Sequence, residues 1–163
     1  MRALVQTGPR RLEMRDVPAP ASDVVRVACC GVCGSDMHAW AGHDPRRPVP
    51  LTLGHEIVGR DEAGRVVTVN PLVACGACRY CREGRDNLCP ERAILSMPPR
   101  EGGFAEAVAS PAANNVAVPE GVPLAAAALA EPIACGWHAV RLVRRIAPLG
   151  EALVLGGGAI GLG

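Results

Sequence analysis

The 163-residue sequence predicts a mostly β protein: an antiparallel β domain carrying a cysteine-rich lobe, then helices, then the first strand and glycine turn of an α/β unit. Three observations predict it. Short runs of β-branched and apolar residues, broken by Gly, Pro and Asp, recur up to about position 73. Four cysteines crowd into residues 75–89, where apolar periodicity vanishes. After Pro123 helix formers take over, and the sequence closes on an apolar run leading into glycines.

Apolar residues make up 49% of the chain and charged ones 20%, the balance of a chain that buries a core. A formal net charge of +1 creates no field to draw nucleic acid or an anionic membrane, and neither partner is expected. All 17 basic residues are Arg, scattered rather than striped, which reads as coding bias without functional weight. The N-terminal apolar stretch is too short for a signal peptide, and no later run is long and apolar enough for a bilayer, so a cytoplasmic location is expected. There, eight cysteines point to metal rather than disulfides.

Taken in order, Ala3-Leu4-Val5, Leu12-Glu13-Met14-Arg15, Val24-Val25-Arg26-Val27, Ile57-Val58-Gly59 and Val66-Val67-Thr68-Val69 read as strands. Asp61-Glu62-Ala63-Gly64 supplies a hairpin turn between the last two. Strand character returns at residues 104–108 and 115–118 and stops at Pro119. Residues 124–131 read as a helix with Pro123 in its first turn, which Pro132 should kink or end. A second helix is expected over 137–145, where Arg141, Arg144 and Arg145 suit the negative end of the helix dipole. Residues 151–155 form an apolar run expected to be a buried strand.

Cys75-x2-Cys78-x2-Cys81-x7-Cys89 gathers four thiolates on one short loop, the usual spacing of a tetrahedral zinc site. A disulfide pair is disfavoured by compartment. An iron–sulfur set is disfavoured because the ferredoxin-type run has only three residues before its fourth Cys. A closed four-ligand site has no open position, so its expected role is structural, stapling a loop without a core.

Cys33 and His55, taken singly, read as a small buried hydrophobe and a satisfied polar group. Together they read otherwise. Gly31-Val32-Cys33-Gly34-Ser35-Asp36, Gly54-His55-Glu56, the four-cysteine lobe and the final glycine turn, in that order, resemble the zinc-containing alcohol dehydrogenases of the medium-chain family. The resemblance runs over essentially the whole chain, and Glu131-Pro132-Ile133 places it nearest the sorbitol, threonine and related polyol dehydrogenases. It implies a GroES-like antiparallel β-barrel catalytic domain over residues 1–120 with a zinc lobe at about 74–92. A helical connection over 121–150 and the start of a Rossmann NAD(P)-binding domain over 151–163 would follow.

By that resemblance Cys33 and His55 bind a catalytic zinc, Glu131 occupies the third-ligand position and Glu56 can coordinate in its place, which makes two Zn²⁺ per chain. Such a site keeps one position for substrate oxygen, where zinc's Lewis acidity acidifies an alcohol. The implied reaction is hydride transfer from a secondary alcohol or polyol to NAD or NADP, giving a ketone. Ser35 and His38 match the family's proton-relay positions, although Ser35 also suits a helix N-cap. Asp36 is the acceptor for the ring N–H of His55, or an ordinary first-turn acid. Trp40 lines the substrate pocket or simply packs. Cys29, Cys30 and Cys135 are expected to pack as small apolar groups, and His43 and His138 have no partner in the motif pattern.

Gly156-x-Gly158-x-x-Gly161 after an apolar run is the dinucleotide fingerprint, whose glycines permit a tight turn against a pyrophosphate. The acid that reads the ribose stands about 20 residues further on in such folds. Only Leu162 and Gly163 follow Gly161, leaving NAD and NADP both open. A parallel nucleotide-binding sheet needs several βαβ units, so the chain is expected to be the N-terminal fragment of a longer, homo-oligomeric enzyme, not turning over at family rates alone. Two alternatives stand beside this: a non-catalytic zinc-stabilised fragment without coenzyme binding, and a zinc hydrolase, against which no His-Glu-x-x-His motif is found.

Overall fold

The computed structural model describes residues 1–146 and 150–163. The chain runs β1 (Arg2–Gly8), β2 (Arg11–Asp16), β3 (Val24–Gly31), α1 (Gly34–Trp40), β4 (Leu51–Thr52), β5 (Glu56–Arg60), β6 (Val66–Val69), β7 (Leu72–Val73) and α2 (Arg79–Arg82). It continues through β8 (Ala93–Ile94), β9 (Ala107–Ala109), β10 (Asn115–Ala117), α3 (Leu124–Ala127), α4 (Ala130–Val143) and α5 (Ala159–Leu162). Five strands form an antiparallel sheet in the order β10-β6-β5-β3-β9, three more form β2-β1-β4, and β7 pairs with β8 beside the cysteine lobe. Among the described residues no helix is long and apolar enough to cross a membrane.

The core explains why the adjacent β5 residues Ile57 and Val58 are both apolar. Ile57 packs inward with Val25, Val67, Val69, Leu95 and Val108. Val58, on the opposite face, is covered by Ala127 and Ala128 at the end of α3. Strands buried on both faces lose the period-two alternation that half-exposed strands show. A third cluster, Ala39, Leu51 and Leu53 with Phe104 against it, ties α1 to the segment that leads into His55.

Four expectations need correction. The run at 151–155 is no strand: Leu153 and Leu155 are 85% and 88% exposed, and no strand among the described residues pairs with it, pairing being what makes a strand. The strand at 104–108 begins only at Ala107, because Phe104 bonds instead to the β1 and β4 side, its carbonyl accepting from Leu4 N–H and its own N–H donating to the Leu53 carbonyl. Pro132 neither kinks nor ends a helix. The break falls at Ala128 and Leu129, and Pro132 lies in the first turn of α4, where a missing N–H costs nothing. For the same reason α4 starts at Ala130 rather than 137. The part of the helical connection at 147–149 lies outside the described residues.

Candidate metal centre

Cys33 ends the loop after β3 and caps α1, and His55 and Glu56 stand at the start of β5, hydrogen-bonded to β3 next door. Antiparallel pairing sets Gly31 opposite Glu56. A Cβ on Gly31 would collide with Glu56 Oε2, so the bare glycine leaves room for that carboxylate. Gly54 is held at φ +93 with Phe104 and Cys30 where a side chain would stand, which fixes how His55 enters the strand.

One ligand atom each from Cys33, His55 and Glu56 lie within 4.8 Å of one another. Glu131, in the first turn of α4, lines the same cavity of about 840 Å³, as do Cys135 and the Gly156–Gly161 turn. Cys135 is not packed as a small apolar group: its thiol is exposed and lies 3.7 Å from Glu131 Oε1. Cys29 and Cys30 are partly buried against the core, as expected.

Asp36 joins the two ligand-bearing loops. Its carboxylate is 2% exposed, and it accepts from Cys33 N–H at 3.0 Å and Gly54 N–H at 3.2 Å. Oδ1 also stands 3.7 Å from His55 Nδ1, a charge contact rather than a hydrogen bond. Asp36 is thus a first-turn acid of α1, and it faces the imidazole without the hydrogen bond expected from the ring N–H. Ser35 is not the N-cap; that residue is Cys33, whose N–H the Asp36 carboxylate receives. Ser35 and His38 share a face of α1 one turn apart, His38 is exposed, and its ring centroid is 6.3 Å from that of His43. Trp40 lines a separate apolar groove with Leu4, Met37 and Phe104, which supports packing over a pocket role. His138 opens onto a neighbouring cavity shared with His55 and Glu131.

The charges at this cavity are out of balance without a cation. Burial lowers the pKa of His55, but Asp36, Cys33 and Glu131 overcome it and raise it to about 9. Burial raises Glu56, reinforced by Glu131 and Asp36 against the pull of His55. His55 Nδ1 is buried with no hydrogen-bond partner. Asp36 faces Nδ1, so Nε2 is the ring nitrogen left to give up its proton and offer a lone pair when a cation binds. A thiol, an imidazole lone pair and a carboxylate at ligand spacing fit Zn²⁺.

The four-cysteine lobe fits a metal on similar grounds. Ligand atoms of Cys75, Cys78, Cys81 and Cys89 lie within 4.8 Å of one another, with Sγ of Cys81 at 3.5 Å from Cys78 and 3.9 Å from Cys75. A tetrahedron with bonds of about 2.3 Å has edges of about 3.8 Å. The amides of Ala77 and Cys78 bring the Cys75 thiol down to about 7, while burial and the neighbouring sulfurs push Cys81 up to about 12. Thiols this close cannot all ionise unless a cation compensates them.

Sequence reasoning missed Arg47. Treated as one of the scattered arginines, it is in fact buried, with a side chain 5% exposed, and donates to the Ser35 carbonyl at 2.7 Å. Its place between Pro45 and Pro48 was the available signal, since flanking prolines fix its backbone.

Residues 20–120 match the alcohol dehydrogenase GroES-like domain family. The chain belongs to that family. Similar members include L-galactonate-5-dehydrogenase of Escherichia coli K12, 37% identical across 100% of this chain and 51% of its own length. Sorbitol dehydrogenase of Arabidopsis thaliana is 37% identical across 85% of this chain and 41% of its own. Among solved structures, an alcohol dehydrogenase of Escherichia coli CFT073 complexed with NADH superposes with a TM-score of 0.84 at 33% identity, over 99% of this chain and 51% of that one. This GroES-like chain thus spans about half the length of the curated relatives it matches.

Proposed function

We propose that the chain holds the metal and binds the alcohol in a zinc-dependent, nicotinamide-using dehydrogenase that oxidises a secondary alcohol or polyol to a ketone. The observation that carries this reading is a single cavity lined both by Cys33, His55, Glu56 and Glu131 and by the Gly156–Gly161 turn. Alcohol activation and hydride acceptance need such adjacency. The named dehydrogenases among its relatives, one with NADH bound, support the same chemistry.

Cys33, His55 and Glu56 would hold the catalytic zinc, while Glu131, expected as the third ligand, lines the same cavity outside that cluster. When bound, the ion supplies the Lewis acidity that makes an alcohol proton removable near neutral pH. The Asp36 carboxylate, 3.7 Å from His55 Nδ1, favours a proton on that nitrogen and leaves Nε2 for the metal. Ser35 Oγ accepts from Arg47 Nη2 at 3.4 Å, which leaves its own proton free to pass on as it takes one from the substrate hydroxyl. His38, exposed one turn later, delivers it to water. The turn of Gly156, Gly158 and Gly161 takes the NAD or NADP pyrophosphate: a Cβ on Gly161 would collide with the Gly156 carbonyl, so only glycine permits so tight a turn. Cys75, Cys78, Cys81 and Cys89 would hold a second, structural zinc.

Metal analysis tests the centre: the purified chain should hold two zinc ions and Cys33→Ser one. Cobalt substituted at the Cys33 site should change its visible spectrum when a polyol is added; an unchanged spectrum at saturating alcohol would refute alcohol binding. The unpaired, exposed run at 151–155 favours a second reading, a zinc-stabilised module that does not bind coenzyme. Titration with NADH or NADPH, followed by the change in the nicotinamide's own fluorescence on binding, separates the two.

A further inference from the structure

The chemistry above leaves the buried Arg47 with little to do beyond a long contact to a hydroxyl. Its surroundings suggest more. Nη1 donates to the Ser35 carbonyl at 2.7 Å and lies 3.8 Å from Asp36 Oδ1. Nη2 reaches Ser35 Oγ at 3.4 Å, and Nε stands 3.8 Å from Asp44 Oδ2 without a hydrogen-bond partner. A buried guanidinium with an unsatisfied donor is an expensive way to join two loops, and an ordinary ion pair could have formed at the surface. What distinguishes this position is the group it supports. Asp36 is the carboxylate on which the loops of Cys33 and His55 both hang, and it has three positive or donor groups to face: the two amides and the imidazole.

We propose that Arg47 is a positioning residue of the metal centre: its planar fork clamps Ser35 at both carbonyl and hydroxyl, and its charge holds the Asp36 carboxylate that sets Cys33 and His55 in register. Two effects follow. Asp36 cannot swing away from Gly54 without leaving Arg47, so the imidazole stays aimed into the cavity. The Ser35 hydroxyl receives a proton donor from behind and must point its own hydrogen elsewhere. The assignment rests on the reading that Cys33, His55 and Glu56 hold zinc.

The test uses the full 163-residue chain. Wild type, Arg47→Met and Arg47→Lys are titrated with Zn²⁺ in competition with a chelating dye, and Cys33→Ser identifies which class of binding belongs to the cavity. Arg47→Met should weaken the Cys33-dependent class about 10- to 100-fold and leave the four-cysteine class within about twofold. Arg47→Lys keeps the charge but cannot grip two oxygens of Ser35 at once, so it should recover only part of the loss. A merely structural arginine would lower the melting temperature and affect both classes alike. The proposal is overturned if both variants stay within about twofold of wild type at the Cys33-dependent class, or if both classes weaken by the same factor. Should Arg47→Met fail to fold, Arg47→Lys is judged by the same two criteria. A wild-type chain with no Cys33-dependent class would instead sink the zinc reading, and the role of Arg47 with it.

Discussion

Asp36 is the residue on which the centre's geometry turns, since it receives an amide from each of two loops that are 21 residues apart at Cys33 and Gly54. Asp36→Ala leaves both amides without their acceptor, at about 1–3 kcal/mol for each group left unpaired in the interior. Denaturant unfolding of the metal-free protein should therefore show a loss of about 2–6 kcal/mol, and Asp36→Asn, which keeps one acceptor, about half of that. A loss below about 1 kcal/mol for the alanine variant would show that water replaces the carboxylate there. Much at this scale was legible beforehand. Cys33, His55 and Glu56 announced themselves through residue type and motif order, and Asp36 through its place beside the cysteine. Arg47 did not, because Asp36 and Ser35, the partners that tie it to the centre, lie 11 and 12 residues back with no periodicity to link them. Nor did the exposure of Cys135, which depends on how α4 faces the cavity and not on its neighbours in sequence.

At the scale of elements, the β5–β6 hairpin carries its own pH dependence. Asp61 Oδ1 accepts from Ala63 and Arg65 amides at 3.1 and 2.9 Å, and Oδ2 pairs with the Arg65 guanidinium at 2.7 Å. The Arg65 side chain, with help from the two amides, holds the Asp61 carboxyl below its usual value despite some desolvation. A depressed folded-state pKa stabilises fully above the unfolded value of about 3.9 and is lost as pH falls through the folded one. Asp61→Asn should therefore be less stable than wild type at neutral pH, and the gap in melting temperature should close below about pH 4. A gap that is constant with pH would assign the stabilisation to shape and not charge. The hairpin was readable because turn residues and flanking β-branched runs are local signals. The start of α4 was misread because Pro132 is a breaker in a helix interior and a starter in a first turn, and only the chain's path at Leu129 decides which.

For the whole molecule, two kinds of stabilisation meet at residue 75. The barrel buries Ile57, Val25 and Val67 and needs no metal to do so. In the lobe only Cys89 is buried, and α2 contributes a single turn. Chelation should consequently loosen the lobe alone: limited proteolysis after metal removal should cut within residues 75–92 while far-UV dichroism keeps its β signature. Global unfolding on chelation would mean that the barrel leans on the lobe. Short β-branched runs broken by Gly, Pro and Asp made an antiparallel β domain readable, and the motif resemblance implied the barrel; the fate of residues 151–155 was not legible, since a strand depends on a neighbour that its own residues do not specify. The lobe's sulfurs bring a further liability. The amides of Ala77 and Cys78 lower the pKa of the solvent-exposed Cys75 thiol, which favours the thiolate, the form that attacks oxidants. A newly made chain that meets peroxide ahead of its metal would cross-link at the lobe and lose the tetrahedral nest, so preparation under reductant with zinc present decides whether the molecule matures or is scrapped.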